Sequence, residues 1–213
     1  MKRSIHRKTS DGGLNMRWII GIAAAALAIV LVIGSAQDAD EELLTEIRTE
    51  LIPAEGTETA YGIPLSLYSL TQFVEWWYTL VPAVEGDARY VDALSALVAP
   101  CCDDNPAFKC CCETDEGQAC NLIRSAKGLA AHVILEHDFD TNAVRDSVFE
   151  WLRFARPDYY LAAELESREI NPIPYGLTTE GSCYRGLCNV AISQGGCGGM
   201  TTLNEPAIED VET

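Results

Sequence analysis

The stretch NLIRSAKGLAAHVILEHDFDTNAVRDSVFEWLRFA, residues 121–155, decides the fold. Asn121 is a suitable cap for a first helix, and a short link at residues 137–140 separates it from a second helix that starts near Thr141. Both halves repeat apolar residues at helical spacing, which predicts two consecutive amphipathic helices. Their apolar faces are Leu122, Ala126, Leu129, Val133 and Ile134 in the first, and Val144, Val148, Trp151, Leu152 and Ala155 in the second.

Further helices are expected on either side of this pair. Residues 66–80 have helical spacing with Ser66 as a cap, and this spacing places Trp77 in the core and Trp76 at an interface. Asp87 can cap a helix that stops before Pro100, with Tyr90, Val91, Leu94, Leu97 and Val98 on its apolar face. After Pro157, which ends or restarts the preceding helix, residues 159–166 predict one more. The fold class is therefore all-α.

From Asn171 onward the helical spacing disappears, and prolines and glycines predict irregular backbone. About thirty residues of irregular chain are too many for an ordinary loop unless something fastens them. Cys183, Cys188 and Cys197 are the obvious fasteners, through disulfides or a metal ion. We expect one cysteine-rich helical domain over residues 65–200 with an irregular Cys/Gly-rich C-terminal region, followed by an acidic tail, residues 201–213.

The N-terminal part predicts a membrane anchor. Residues 18–36 contain no charge and are just long enough to cross a bilayer as one helix. Residues 1–17 carry five basic side chains and one acidic side chain, whereas acidic residues follow the apolar run. Because basic residues favour the cytoplasmic side of a membrane, we expect residues 1–17 in the cytoplasm and the residues after the apolar run outside. An uncleaved or cleaved signal peptide is the alternative, since Gly34-Ser-Ala36 resembles a cleavage site. Residues 37–64 read as an acidic stalk or linker.

The negative charge of the chain excludes nucleic acid as a partner. The chain carries a net charge of −17, and removal of the +4 of residues 1–17 leaves −21 for the remainder. So acidic a protein repels nucleic acid and anionic headgroups, and it attracts cations. The predicted external location also permits disulfides.

Nine cysteines are the candidate functional residues. Six of them form an early cluster within twenty residues, namely Cys101, Cys102, Cys110, Cys111, Cys112 and Cys120. Adjacent cysteines rarely bond to each other, so each member of an adjacent set points to a different partner. Adjacent thiolates also converge readily on one soft ion, with copper favoured and zinc possible, although the Cys-x2-Cys knuckles of structural zinc sites are missing. The candidate metal ligands are Cys101, Cys102, Cys110, Cys111, Cys112, Cys120, Cys183, Cys188, Cys197 and Met200.

Three functions remain open for these sulfurs. The first is binding of a soft metal ion, and the second is a structural or partner-binding module in which disulfides staple the tail to the helices. The third is thiol–disulfide exchange, which lacks its usual Cys-x-x-Cys, although Cys120 precedes a helix whose dipole would acidify its thiol. His132 is expected on the surface and His137 at a helix end, so no catalytic triad is supported and a non-enzymatic role is favoured. A redox protein or a metallochaperone would be a natural partner.

At Pro100-Cys101-Cys102 the chain resembles a bacterial extracytoplasmic family named for its Pro-Cys-Tyr-Cys-Gly-Cys motif. The likeness covers residues 87–160, and Tyr and Gly of the motif are absent here. It implies a helical, membrane-anchored or secreted bacterial protein that binds metal through cysteines, with Cys101 and Cys102 as matching positions. The pair of helices at 122–137 and 141–155 also resembles the helical domain of membrane-anchored cytochrome c maturation thiol proteins, whose Cys-x-x-Cys this chain lacks.

Overall fold

The computed structural model describes residues 41–100 and 119–199. The predicted anchor, the early cysteines from Cys101 to Cys112, Met200 and the acidic tail lie outside the described residues. The described part is all-helical and contains no strand. Its helices are α1 over residues 41–51, α2 Ser69–Thr79, α3 Val81–Val84, α4 Ala88–Ser95, α5 Asn121–His137, α6 Thr141–Ala155 and α7 Pro157–Ser167, with short 3-10 helices at Ile173–Tyr175 and Ile192–Gln194.

α5 is the central helix of the bundle. It packs against α2 and α6 and also contacts α3 and α4. The predicted apolar face is buried, as expected, but so are Ile123, Ser125, Ala130 and Ala131 on other sides of the helix. The small side chains of Ser125, Ala130 and Ala131 let neighbouring helices approach from several directions, so α5 is enclosed by the bundle instead of lying on its surface.

The approach of α2 to α5 is unusually close. A Cβ atom added at Gly128 would lie 1.9 Å from the carbonyl oxygen of Phe73 and 2.7 Å from the backbone nitrogen of Trp77. Only glycine leaves room for this contact between helix backbones. The ring of Phe73 then packs edge-on against Trp151 of α6, with ring centroids 5.0 Å apart. One glycine in α5 thus sets the spacing of three helices.

Pro157 separates α6 from α7. Asp140 caps α6 by accepting a hydrogen bond of 2.9 Å from the backbone N–H of Ala143. The helix ends at Ala155 because a residue that precedes proline is driven out of the helical conformation, and Arg156 has φ −135° and ψ 59°. Proline is tolerated in the first turn of α7, so a new helix starts there. The prediction that Pro157 ends or restarts the helix is confirmed.

The helices before α5 differ in detail from the prediction. Asp87 caps α4 as expected, by accepting a 2.9 Å hydrogen bond from the N–H of Arg89. The helix nevertheless ends at Ser95, and Val91 and Val98 are each 47% exposed, so their predicted place on the buried face is wrong. α4 packs mainly against α6 and α5, and the exposure of Val91 shows that its outer side faces solvent.

Two helix boundaries in this region are also shifted. α2 begins at Ser69 instead of Ser66, and its N-cap residue Tyr68 makes no side-chain capping bond. α2 ends at Thr79 instead of residue 80, and Pro82 lies in the first turn of the next helix, α3, where its missing N–H costs nothing.

The unit that contains the bundle begins at Glu46. Of the preceding unit, Met1–Thr45, only residues 41–45 are described, and they are helical. Ile47 and Tyr61, which belong to the segment interpreted as stalk or linker, are buried. No helix within residues 41–100 and 119–199 has the length and apolar character needed to cross a membrane.

Candidate functional site

The irregular C-terminal region folds back on itself around its cysteines. The N–H of Cys197 donates to the carbonyl of Leu187 at 3.3 Å, and the N–H of Gly199 donates to the carbonyl of Cys188 at 2.8 Å. These bonds bring residues 187–190 beside residues 196–199. Gly196 is required between them, because a Cβ there would lie 2.0 Å from a backbone oxygen of Val190. Cys188 and Cys197 are therefore neighbours in the fold.

This folded tail docks on the start of α5. The N–H of Asn121 donates to the carbonyl of Gly199 at 2.8 Å, and the N–H of Leu122 donates to the carbonyl of Cys197 at 3.2 Å. The first N–H groups of a helix have no partner within the helix, and here the carbonyls of the tail provide one. The side chain of Asn121 adds a 2.6 Å hydrogen bond from Nδ2 to the oxygen of Gly198. Asn121 is thus the first residue of α5, and Cys120 occupies the cap position predicted for Asn121.

Four of the ten predicted metal ligands lie among the described residues. The Sγ atoms of Cys183 and Cys197 are 3.8 Å apart. Cys120 and Cys197 are fully buried, whereas Cys183 and Cys188 are half-buried. Cys120 directly precedes Asn121 and Leu122, whose N–H groups donate to the tail carbonyls, and the convergence of its sulfur with the late cysteines stays a prediction. Within residues 41–100 and 119–199, no group of three or more His, Cys, Asp or Glu residues is arranged to hold a metal ion.

The distance between the sulfurs of Cys183 and Cys197 is compatible with two kinds of chemistry. Thiolates about 2.3 Å from a tetrahedral ion lie about 3.8 Å from each other, so these two sulfurs could share an ion without moving. A disulfide requires about 2.05 Å between the sulfurs. The observed separation of 3.8 Å would therefore have to shorten for a crosslink to form.

A buried arginine fastens the same tail from the side of α7. Nη1 of Arg156 donates a short hydrogen bond to Oγ of Ser182, and that hydroxyl donates to the carbonyl of Gly195 at 2.9 Å. Nη2 of Arg156 lies 3.6 Å from Oδ2 of Asp158. We call Arg156, Ser182 and Gly195 the arginine clamp. The sequence reasoning missed it, although an arginine directly before Pro157 is a signal that its backbone leaves the helix.

A second arginine braces the start of α5. Nη1 of Arg124 donates to Oδ1 of Asn121 at 3.3 Å, and its guanidinium lies 4.8 Å from the ring centroid of Trp77. Trp77 is half-buried beneath this cation, so its predicted place in the core is only partly correct. Trp76 is half-buried as well and packs between Phe73 and a histidine.

That histidine is His132, which was expected on the surface. Its ring instead stacks on Trp76 with centroids 3.7 Å apart and planes within 8°, and it is half-buried. Burial lowers the pKa of His132, and the nearby His137 lowers this pKa further. His137 is exposed in the last turn of α5, as predicted. Seventeen residues of helix separate the two ends of α5 by about 25 Å, so neither ring belongs to the cysteine region.

A cavity of about 360 Å³ opens beside the arginine clamp. Its apolar side is lined by Leu67, Phe154 and Ile192, and its polar side is lined by Asp158 and Gln194. The carboxylate of Asp158 is already directed to Arg156, so the cavity forms part of the surroundings of the clamp.

Comparison with protein families, with curated proteins and with solved structures gives no match for this chain. The two resemblances drawn from its motifs remain predictions. The function must therefore be argued from the sequence and from the geometry of the cysteine region.

Proposed function

We propose that this protein is a membrane-anchored extracytoplasmic protein that binds a soft metal ion, copper most plausibly, at a cysteine site formed where the C-terminal tail docks on the start of α5. The observation that carries the proposal is the 3.8 Å separation of the Cys183 and Cys197 sulfurs. The remaining ligands would come from Cys188 and from residues outside the described ranges, namely Cys101, Cys102, Cys110, Cys111, Cys112 and Met200.

The donor set favours a soft ion. Thiolate and thioether sulfur prefer Cu(I), and borderline Zn²⁺ is the second choice. Cys120 occupies the N-cap position of α5, where the positive end of the helix dipole stabilises negative charge on a thiolate. Burial of Cys120 and Cys197 limits access of water to such a site. Because the thiols must lose their protons on binding, affinity should rise with pH.

The membrane part of the proposal depends on residues 18–36, which lie outside the described residues. Their length without charge and the basic flank of residues 1–17 support an anchor with the helical domain outside the cell. Deletion of residues 1–37 should release the remaining chain from the membrane fraction. A deleted chain that still pellets with membranes would contradict a single N-terminal anchor.

A disulfide-stapled module is the second candidate. The same proximity of Cys183 and Cys197 favours it, because a modest approach of the two sulfurs would crosslink a long irregular segment. Thiol exchange is less well supported, since the chain contains no Cys-x-x-Cys.

The full chain, purified in mild detergent under anaerobic conditions, separates these candidates. Metal binding predicts many thiols that react with an alkylating agent only after treatment with a chelator, and tight Cu(I) binding in competition with a chromogenic Cu(I) chelator. Replacement of both Cys183 and Cys197 by serine should weaken that binding by about a hundredfold or more. Ser193→Ala, at an exposed position of the same tail, is the matched control and should leave it unchanged.

Two results would count against metal binding. The first is an intact mass eight hydrogens below that of the reduced chain with one alkylatable thiol, which supports crosslinking instead. The second is Cu(I) affinity that is the same in the double serine variant and in the wild-type chain.

A further inference from the structure

We propose that Arg156 is the positioning residue of the Cys183–Cys197 pair, and that its guanidinium holds together the two tail segments that carry these thiols. The inference deepens the proposed function, because it names what would set the geometry of the metal site. It concerns the thiols themselves, however, and its test uses no metal.

The backbone places Arg156 where it can act on the tail. Pro157 removes Arg156 from the helical conformation and separates α6 from α7. The side chain of Arg156 is only 1% exposed, and its contacts are with the C-terminal region and with Asp158. Its position therefore follows from a local feature of the sequence and does not depend on the cysteines.

The contacts of Arg156 reach both cysteine-bearing segments. Ser182, which accepts the hydrogen bond from Nη1, immediately precedes Cys183. The same hydroxyl donates to the carbonyl of Gly195, two residues before Cys197. One guanidinium and one hydroxyl thus connect chain segments that are separated by a turn of twelve residues. The carbonyl of Ser182 also accepts from the N–H of Leu187, whose own carbonyl accepts from Cys197.

The hydrogen bond between Arg156 and Ser182 is buried on both sides. A buried guanidinium must be hydrogen-bonded to offset its loss of water, and Ser182 is fully buried beside it. Nε of Arg156 has no hydrogen-bond partner within the part of the chain that the structure describes. Its only charged neighbour there is Asp158 at 3.6 Å, whose side chain is 40% exposed. Within the described residues, the tail thus provides the side-chain hydrogen bond of this buried guanidinium, and Asp158 provides the opposite charge.

The consequence for the thiols is a high effective concentration. Residues 183–197 contain only one short 3-10 helix, and such a segment would sample many separations of the two sulfurs if its ends were not held. The Ser182 hydroxyl, which Arg156 holds in place, joins the two segments, and the sulfurs lie 3.8 Å apart. Fixed geometry raises the probability of any reaction that needs both thiols, whether they bind one ion or form one bond.

Thiol–disulfide exchange with glutathione measures that effective concentration directly. The reduced full chain is equilibrated anaerobically in buffers of reduced and oxidised glutathione, quenched by alkylation and mapped by peptide mass spectrometry. In each event the two thiols lose two protons and two electrons, one Cys183–Cys197 bond forms, and one glutathione disulfide is cleaved to two glutathione thiols. The equilibrium constant for that bond is the readout.

Arg156→Met should lower this constant by about tenfold or more, since it removes the hydrogen bond of the guanidinium to Ser182 and its ion pair with Asp158. Ser182→Ala should lower it similarly, because it breaks the connection to Gly195 while Arg156 remains. Arg168→Met, at the exposed end of α7, is the matched control and should stay within about twofold of the wild type.

Several outcomes would overturn the inference. An unchanged equilibrium constant in Ser182→Ala would overturn it. This test holds even if Arg156→Met does not fold, which circular dichroism would detect. A wild-type chain that forms no Cys183–Cys197 disulfide at any glutathione ratio would do so as well. If the glutathione equilibrium constants of the two variants fall as expected but the wild type binds no Cu(I), the proposed function fails and the role of Arg156 stands. If these constants are unchanged and the wild type binds Cu(I) tightly, the role of Arg156 fails and the proposed function stands.

Discussion

Replacement of Gly128 by alanine tests how closely α2 and α5 pack. The added methyl group would lie 1.9 Å from the carbonyl oxygen of Phe73 and 2.7 Å from the backbone nitrogen of Trp77. Both atoms belong to the backbone of a helix, so neither can rotate away as a side chain would. An ordinary contact begins near 3.4 Å, so the two helices must separate by about 1.5 Å.

The magnitude follows from the neighbours that this separation disturbs. Phe73 packs edge-on against Trp151, and both side chains are fully buried. A gap of 0.5–1 Å already forfeits about a quarter to a half of a contact's dispersion energy, and overpacking of a core costs about 1–3 kcal/mol and occasionally more. Alanine returns about 1 kcal/mol through its better helix propensity. Because both clashing atoms belong to the backbone, we expect the overpacking cost to lie at or above the upper end of that range, at about 3–5 kcal/mol, which leaves a net loss of about 2–4 kcal/mol in the free energy of unfolding.

Urea unfolding of the full chain, followed by circular dichroism at the helix band and by tryptophan fluorescence, measures this loss. The two signals report backbone helicity and the surroundings of Trp76, Trp77 and Trp151 separately, so their coincidence also checks two-state behaviour. Gly86→Ala is the matched control. No atom lies within 4 Å of a Cβ at Gly86, so that variant should be neutral or gain up to about 1 kcal/mol.

A Gly128→Ala chain that unfolds within 0.5 kcal/mol of the wild type would refute the reasoning. It would mean that α2 and α5 can move apart without loss, and that the close approach does not hold the bundle together. A large loss in both variants would also refute it, since the effect would then be a general response to alanine.

Three further changes address single interactions. Ser125→Ala removes the hydroxyl that accepts from the indole of Trp151 at 2.9 Å and leaves that buried N–H unsatisfied, so the free energy of unfolding should fall by about 1–3 kcal/mol in the same urea assay. Asp140→Ala removes the cap of α6 and should cost about 1 kcal/mol, which Asp140→Asn should largely restore. Burial and His137 lower the pKa of His132 in the folded state. The contribution of neutral His132 to the free energy of unfolding is therefore present above the unfolded-state pKa of 6.5 and is lost as pH falls through the folded-state pKa. The free energy of unfolding, measured from pH 7 to 5, should decline less in His132→Phe than in the wild type.

The helices around residues 121–155 could be predicted from the sequence because local spacing and caps determine them. Asp87 and Asp140 cap the helices that their positions suggested, and Pro157 interrupts the chain as proline chemistry requires. Errors arose where tertiary contacts decide burial. Val91 lies on the correct face of an isolated helix, but α4 has neighbours on one side only.

The features that the sequence does not predict depend on contacts between distant parts of the chain. Arg156 is buried because the tail returns to it, and no local pattern identifies Ser182 as its partner. His132 lies off the apolar stripe of α5, yet Trp76 of α2 covers its ring. Asn121 looked like a helix cap, whereas its side chain bonds to a residue 77 positions away.

The way in which the tail is fastened bears on the use of its sulfurs. A long irregular segment requires ties, and this requirement was the reason to expect crosslinks. The structure provides other ties, namely the bonds from Asn121 and Leu122 to the tail carbonyls and the arginine clamp. At about 1 kcal/mol for each of the three neutral bonds and about 1.5–3 for the charged one, these contacts together are worth about 4.5–6 kcal/mol, which is more than the 2–4 kcal/mol of a typical disulfide. Fastening alone therefore does not account for the cysteines of the tail, and this surplus of sulfur favours a ligand over a staple.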